Sequence, residues 1–247
     1  MDFDRDGVRL HYEVHGPANG TPIVLVHGFA SDYQLNWVGT RWQETLTGAG
    51  FMVVGLDCRG HGHSDKPHDP AAYRTEIMAA DVVRLLDHVD VRQAAYLGYS
   101  MGARIGLQVA MDHPQRVTRA VLGGIGTAGA IDRSEAIARA FLAGEPTEDP
   151  VAQTFYKFAS ARPTNDLRAL AACIQGLQPN ADPARLARIR TPILIVAGDQ
   201  DDIARGAPEL VELVPTARLF TIAGRDHMSA VVAREFKQEA LRFLEED

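Results

Sequence analysis

Cysteine is scarce in this chain: two residues, Cys58 and Cys173, among 247. Two thiols make no disulfide framework, so a packed core must hold the fold, and a reducing, cytoplasmic setting is expected. Basic clusters are lacking too. At a net charge of −7 the chain offers no concentrated Lys/Arg surface for phosphate, which argues against a nucleic-acid partner. No apolar run approaches the ~20 residues of a membrane span. The acidic start Met1-Asp2-Phe3-Asp4-Arg5-Asp6 has no apolar stretch of the secretory kind. Internal repeats and low-complexity tracts are missing. What remains is a globular composition, 46% hydrophobic and 23% charged, in a length that suits one α/β domain.

Short apolar runs and helical patterns alternate along the chain. Phe3, the Asp6-Gly7 turn and the alternating Val8 to Val14 read as a hairpin. Ile23-Val24-Leu25-Val26 is a continuous apolar run, the kind buried on both faces of a parallel sheet. Similar runs recur at Met52 to Leu56, Ala94 to Gly98, Ala120 to Leu122, Ile193 to Val196 and Arg218 to Ile222. Between them Met78, Val82, Leu85, Leu86 and Val89 mark one helix face, and Val232, Phe236, Ala240 and Phe243 mark another. Such alternation predicts a mostly parallel sheet covered by helices on both sides.

From about Thr127 to Arg190 the alternation stops. Three helical segments follow one another, Arg133 to Leu142, Pro150 to Ala161 and Asp166 to Leu177, punctuated by Gly144, Pro146, Pro163 and Pro179. The expected organisation is a core of residues 1–126 and 191–247 with a helical cap, residues 127–190, inserted before a sheet strand. In open α/β sheets the crevice beyond the strand ends is the binding side. The cap should therefore cover it, and an Ala-rich insertion of this size is not expected to fold alone.

Gly98-Tyr99-Ser100-Met101-Gly102 lies between the run from Ala94 and a helical stretch from Ala103 to Asp112. A G-x-S-x-G at a strand-to-helix junction is the nucleophile elbow, a turn so sharp that glycines must flank the serine. It exposes the Ser100 hydroxyl near helix N–H groups that lack intrahelical partners. An exposed serine needs a base, and the base needs an orienting group. Both follow in the order serine, acid, histidine, each just beyond an apolar run: Gly198-Asp199-Gln200-Asp201-Asp202, then Gly224-Arg225-Asp226-His227. Asp201 reaches far enough into its loop to turn back toward a histidine and is preferred; Asp199 and Asp202 remain alternatives, and Asp132 sits too far into the insertion. His227 alone among the nine histidines follows the last strand and precedes the last helix, which suits a base. An oxyanion hole needs two backbone donors. Met101, just after the serine, is one candidate; Phe29, in His27-Gly28-Phe29 after the Ile23 to Val26 run, is the other.

These segments, with Asp57-Cys58-Arg59-Gly60-His61-Gly62-His63-Ser64, resemble the α/β-hydrolase superfamily, particularly its small cofactor-free esterase and haloperoxidase-like (perhydrolase) branch. The resemblance covers nearly the whole chain outside the insertion. It implies an α/β-hydrolase fold with Ser100 as nucleophile, Asp201 as acid, His227 as base, Phe29 and Met101 as oxyanion donors, no cofactor, and a structural part for the Asp57 to Ser64 loop. Ser100 speaks against haloalkane dehalogenases and epoxide hydrolases, which carry aspartate there.

One motif points elsewhere. His61-Gly62-His63-Ser64-Asp65 matches the H-x-H-x-D that opens some dinuclear zinc sites, but Lys66 stands where the next histidine belongs, so no metal is expected. Phe29, Tyr99, Phe141, Phe155, Phe158 and Ile174 either line an apolar pocket or pack the cap on the core. The expected activity is hydrolysis of small carboxylic esters, with an apolar acyl group, through an acyl-enzyme. Thioesters, lactones, peracids and carbon–carbon bonds are alternatives for the same residues, as is a slow-hydrolysing ligand receptor.

Overall fold

The computed structural model describes residues 1–127, 133–177 and 182–246; Asp132 and Pro179 lie outside the described residues. Eight strands form one sheet: β1 (Asp2–Arg5), β2 (Val8–His15), β3 (Thr21–Val26), β4 (Phe51–Leu56), β5 (Ala94–Tyr99), β6 (Val117–Gly123), β7 (Ile193–Gly198) and β8 (Ala217–Ile222). Their order is β1-β2-β4-β3-β5-β6-β7-β8. The β1–β2 and β2–β4 pairs are antiparallel and every later pair is parallel. The hairpin thus closes one edge, and the continuous apolar runs are the parallel strands.

The inner runs are apolar because both faces are covered, whereas the edge strand β8 keeps Arg218 and Thr221. Val24, Val26, Val54, Leu122 and Ile195 point to one side, beneath α2 (Thr75–His88) and α3 (Met101–Asp112). Ile23, Leu25, Val53, Leu97 and Val196 point to the other, beneath α1 (Trp42–Gly48) and α10 (Arg234–Leu244). The period-2 alternation of Cβ directions sends neighbours in one run into the two different cores.

Between β6 and β7 lie α4 (Ser134–Ala143), α5 (Pro150–Ser160), α6 (Leu167–Gly176) and the short α7 (Pro183–Leu186). The first three coincide with the predicted segments to within a residue or two, whereas α7 was not foreseen. Asp149 and Asp166 cap α5 and α6 by accepting two backbone N–H bonds each. The insertion docks on the loop after β3: Asn165 Nδ2 donates to the Ala30 carbonyl at 3.2 Å, and Arg162 pairs with Asp32. The remaining elements, α8 (Ala207–Leu213) and α9 (His227–Ala230), follow β7 and β8. No helix among the described residues is long and apolar enough to cross a membrane.

Candidate active site

Ser100 sits between β5 and α3 at φ 53°, ψ −110°, a conformation that costs a non-glycine residue on the order of 1–3 kcal/mol. Its surroundings impose that conformation. A Cβ on Gly98 would run into the Gly102 backbone, and one on Gly102 into the Val26 carbonyl, so the helix can meet the strand this closely only with glycine at both places. The Ser100 N–H donates to the Gly123 carbonyl at 2.8 Å, which ties the elbow to the neighbouring strand β6.

The other two side chains arrive from the ends of β7 and β8. His227 Nε2 lies 3.0 Å from Ser100 Oγ, and His227 Nδ1 lies 3.0 and 2.9 Å from the two Asp201 carboxylate oxygens. Asp201 is 4% exposed and its Oδ1 also accepts the Ile203 and Ala204 N–H groups, so the carboxylate is fixed by its own loop. The other two aspartates are occupied elsewhere. Asp199 accepts the Gly224 N–H at 2.7 Å, and Asp202 pairs with Arg205 at the surface. His227 opens α9, whose cap is Asp226: one oxygen takes the Met228 and Ser229 N–H groups, and the Asp226 N–H donates in return to Ser229 Oγ. The bonds from Ser229 hold the Asp226 carboxyl below the usual carboxylate range. The Tyr99 hydroxyl donates to the His227 carbonyl at 2.6 Å, a tie between the residue before the serine and the histidine that the sequence pattern did not flag.

The loop after β3 is held by buried histidine. The Cys58 N–H donates to His27 Nε2 at 3.0 Å, so that nitrogen is bare and the proton sits on Nδ1. From there it is donated to the Gly28 carbonyl at 2.8 Å, and burial pushes the His27 pKa down. His61 packs against both His27 and Phe29, with ring centroids 5.1 and 5.9 Å away. Its Nδ1 donates to the Arg59 carbonyl, and burial lowers its pKa to about 3. Asp57 accepts the Tyr33 and His63 N–H groups, and Arg59 forms a buried two-pronged pair with Asp81 at 2.7 Å. The side chains of the H-x-H-x-D motif are thus drawn into this scaffold, His63 against His11 and Asp65 onto Arg9.

Ser100 and His227 open into a cavity of about 510 Å³. Phe29, Tyr99, Phe155 and Phe158 line it, whereas Phe141 is buried behind Phe29, stacked at 5.9 Å, and Ile174 lies in the core. The six aromatic and aliphatic candidates therefore divide between the two expectations. Helix α5 contributes Pro150, Val151 and Thr154 to the same wall. Asn36 and Thr40, from the segment after Phe29, also line the cavity. Nothing in the residue pattern marked them, because a single amide between Leu35 and Trp37 carries no spacing signal. Phe29 belongs to the cavity wall, while Met101 is buried with its Sδ 3.8 Å from Cys173 Sγ.

Residues 21–147 match the family model described as the alpha/beta hydrolase fold. Among curated proteins the chain is similar to 3-oxoadipate enol-lactonase 2 of Acinetobacter baylyi, 28% identical over 216 residues that cover 79% of this chain and 77% of that protein. Among solved structures it is similar to a hydrolase from Pseudomonas aeruginosa PA01, at 28% identity and TM-score 0.81, covering 100% of this chain and 98% of that one. It is also similar to Est816, described as an N-acyl homoserine lactone degrading enzyme, at 27% identity and TM-score 0.75, covering 98% and 99%.

Proposed function

We propose, from the premise that this chain belongs to the alpha/beta hydrolase fold family, that it is a serine hydrolase cleaving carboxylic esters, open-chain or cyclic. The observation that carries the reading is the contact of His227 Nε2 with Ser100 Oγ at 3.0 Å while Nδ1 faces Asp201. In this reading Nε2 takes the hydroxyl proton as Ser100 attacks the ester carbonyl. Asp201 holds the imidazole in the needed tautomer and stabilises the imidazolium. The imidazolium then protonates the leaving alcohol, and water repeats the sequence on the acyl-enzyme.

The tetrahedral oxyanion would rest on the Phe29 and Met101 N–H groups. Met101 opens α3, where an N–H has no intrahelical acceptor. At Phe29, His27 holds the Gly28 carbonyl, and in a trans peptide the N–H at the other end points the opposite way. Helices α4–α7 act as a cap that supplies the cavity's apolar wall through α5 and depends on the core for its fold. Lactones fall under the same chemistry, and the enol-lactonase relative favours including them.

The test is labelling with a fluorophosphonate, mapping of the modified residue, and turnover of p-nitrophenyl esters. The label is expected on Ser100, and Ser100→Ala should lower kcat by on the order of a millionfold while leaving the fold intact. A label on another residue, or near-parental activity in Ser100→Ala, would overturn the reading.

A further inference from the structure

Asn36 stands in a one-turn π-helix, Gln34–Val38, where Gly39 N–H reaches back to the Gln34 carbonyl at 2.8 Å. Such wide turns are rare and cluster at functional sites, because they redirect a side chain that an α-turn would place elsewhere. Asn36 is 7% exposed and part of the cavity wall that also holds Ser100 and His227. Its orientation is determined by chemistry. The Gly28 N–H is a donor 2.9 Å away, so the atom facing it must be the amide oxygen Oδ1, and Nδ2 is left on the other side. That Nδ2 is buried and has no hydrogen-bond partner.

Four buried side-chain atoms among the described residues share that condition: Asn36 Nδ2, Trp37 Nε1, His61 Nε2 and Arg162 Nε. Asn36 alone of these residues lines the cavity. A buried NH2 group without an acceptor destabilises a fold, and natural chains keep few of them. The covered Nδ2 meets an acceptor in the cavity once the amide turns toward it, and an acceptor-bearing ligand then repairs the deficit. A Cβ placed on Gly28 would lie 3.5 Å from both Asn36 Oδ1 and Ser100 Cβ, so the amide borders the reacting centre.

We propose that Asn36 is a substrate-recognition residue whose Nδ2 donates to an acceptor oxygen carried close to the scissile carbonyl. The favoured substrates are then neutral esters or lactones bearing an ether, keto or second carbonyl oxygen at that position, in an otherwise apolar skeleton. The proposal rests on the serine-hydrolase reading and adds a substrate class to it. Oδ1 has a separate task, accepting the Gly28 N–H and so steadying the loop that carries Phe29.

Two matched ester pairs with the Asn36→Asp variant separate the tasks, since aspartate keeps an acceptor for Gly28 but replaces the donor by an oxygen. On the acyl side the pair is p-nitrophenyl methoxyacetate and p-nitrophenyl butyrate; on the alcohol side it is 2-methoxyethyl butyrate and butyl butyrate. Within each pair an ether oxygen replaces one methylene, and the variant-to-parent ratio of kcat/KM cancels intrinsic reactivity. In at least one pair Asn36→Asp should lower kcat/KM for the ether ester about tenfold more than for its hydrocarbon partner. Equal losses within both pairs would overturn the proposal and leave the hydrolase reading standing. If the unaltered protein cleaves none of the four esters, the hydrolase reading falls and the proposal falls with it.

Discussion

Ser100 is held at φ 53° by packing rather than by its own preference, so the fold carries strain at the side chain proposed as nucleophile. Ser100→Ala and Ser100→Gly both delete the hydroxyl and its contact with His227, but only glycine relaxes in that backbone region. The glycine variant should therefore be the more stable of the two by about 1 kcal/mol, read from urea unfolding at neutral pH. Equal stability would mean that the elbow is not strained. At this scale the sequence was legible where order and spacing carried chemistry. Asp201 stood out because it lies three residues past Gly198, and its side chain does reach His227 while Asp199 and Asp202 turn elsewhere. Asn36 and the Tyr99 hydroxyl were not legible, since their parts depend on which loops meet and no spacing encodes that.

Strands were easier to foresee than the short helices. The inner parallel strands are buried on both faces over most of their length and so appear as apolar runs, whereas the edge strand β8 is only half-buried and carries Arg218 and Thr221, and α1, α7 and α8 have seven residues or fewer, too few for a helical period to show. Val232 was expected on the face of the last helix. It is 50% exposed and precedes α10, which starts only at Arg234, and it borders the cavity instead. The loop between β4 and α2 has a consequence that can be measured. His61 is buried neutral with its pKa lowered to about 3, against an ordinary value of 6.5 in the unfolded chain. Between those limits the unfolded state binds the extra proton, so this stabilisation is complete above pH 6.5 and is lost as the pH falls toward 3. A fully buried histidine of this kind contributes a slope of up to about 1.4 kcal/mol per pH unit across that window. His61→Phe removes the titrating group, and its unfolding free energy should fall less steeply with acid than the parent's, whatever its absolute stability. Parallel pH profiles for the two proteins would show that His61 is not held neutral.

For the molecule as a whole, the charge distribution constrains the substrate. The net charge is −7, and among the described residues no Lys or Arg lines the cavity, while Asp202 and Asp226 do. An anionic substrate entering an apolar cleft gives up hydration without gaining a cation, and it approaches two exposed carboxylates, of which Asp202 is paired with Arg205 and Asp226 is balanced by no cation among the described residues. At an effective dielectric of ~20, one unit charge about 10 Å from another costs roughly 1.7 kcal/mol, before screening. Electrostatics and the apolar wall from Phe29, Phe155 and Phe158 therefore act in the same direction. A mono-p-nitrophenyl ester of glutaric acid should be cleaved with kcat/KM about tenfold or more below that of p-nitrophenyl valerate, although the acyl chains have equal length. Because the two carboxylates are exposed, raising the ionic strength from ~0.01 M to ~0.5 M should narrow the gap. The part that comes from desolvation in the cleft should persist at high salt. A glutarate ester cleaved as fast as the valerate at low salt would mean that a cation reaches the bound substrate, and the neutral-substrate reading would have to be abandoned.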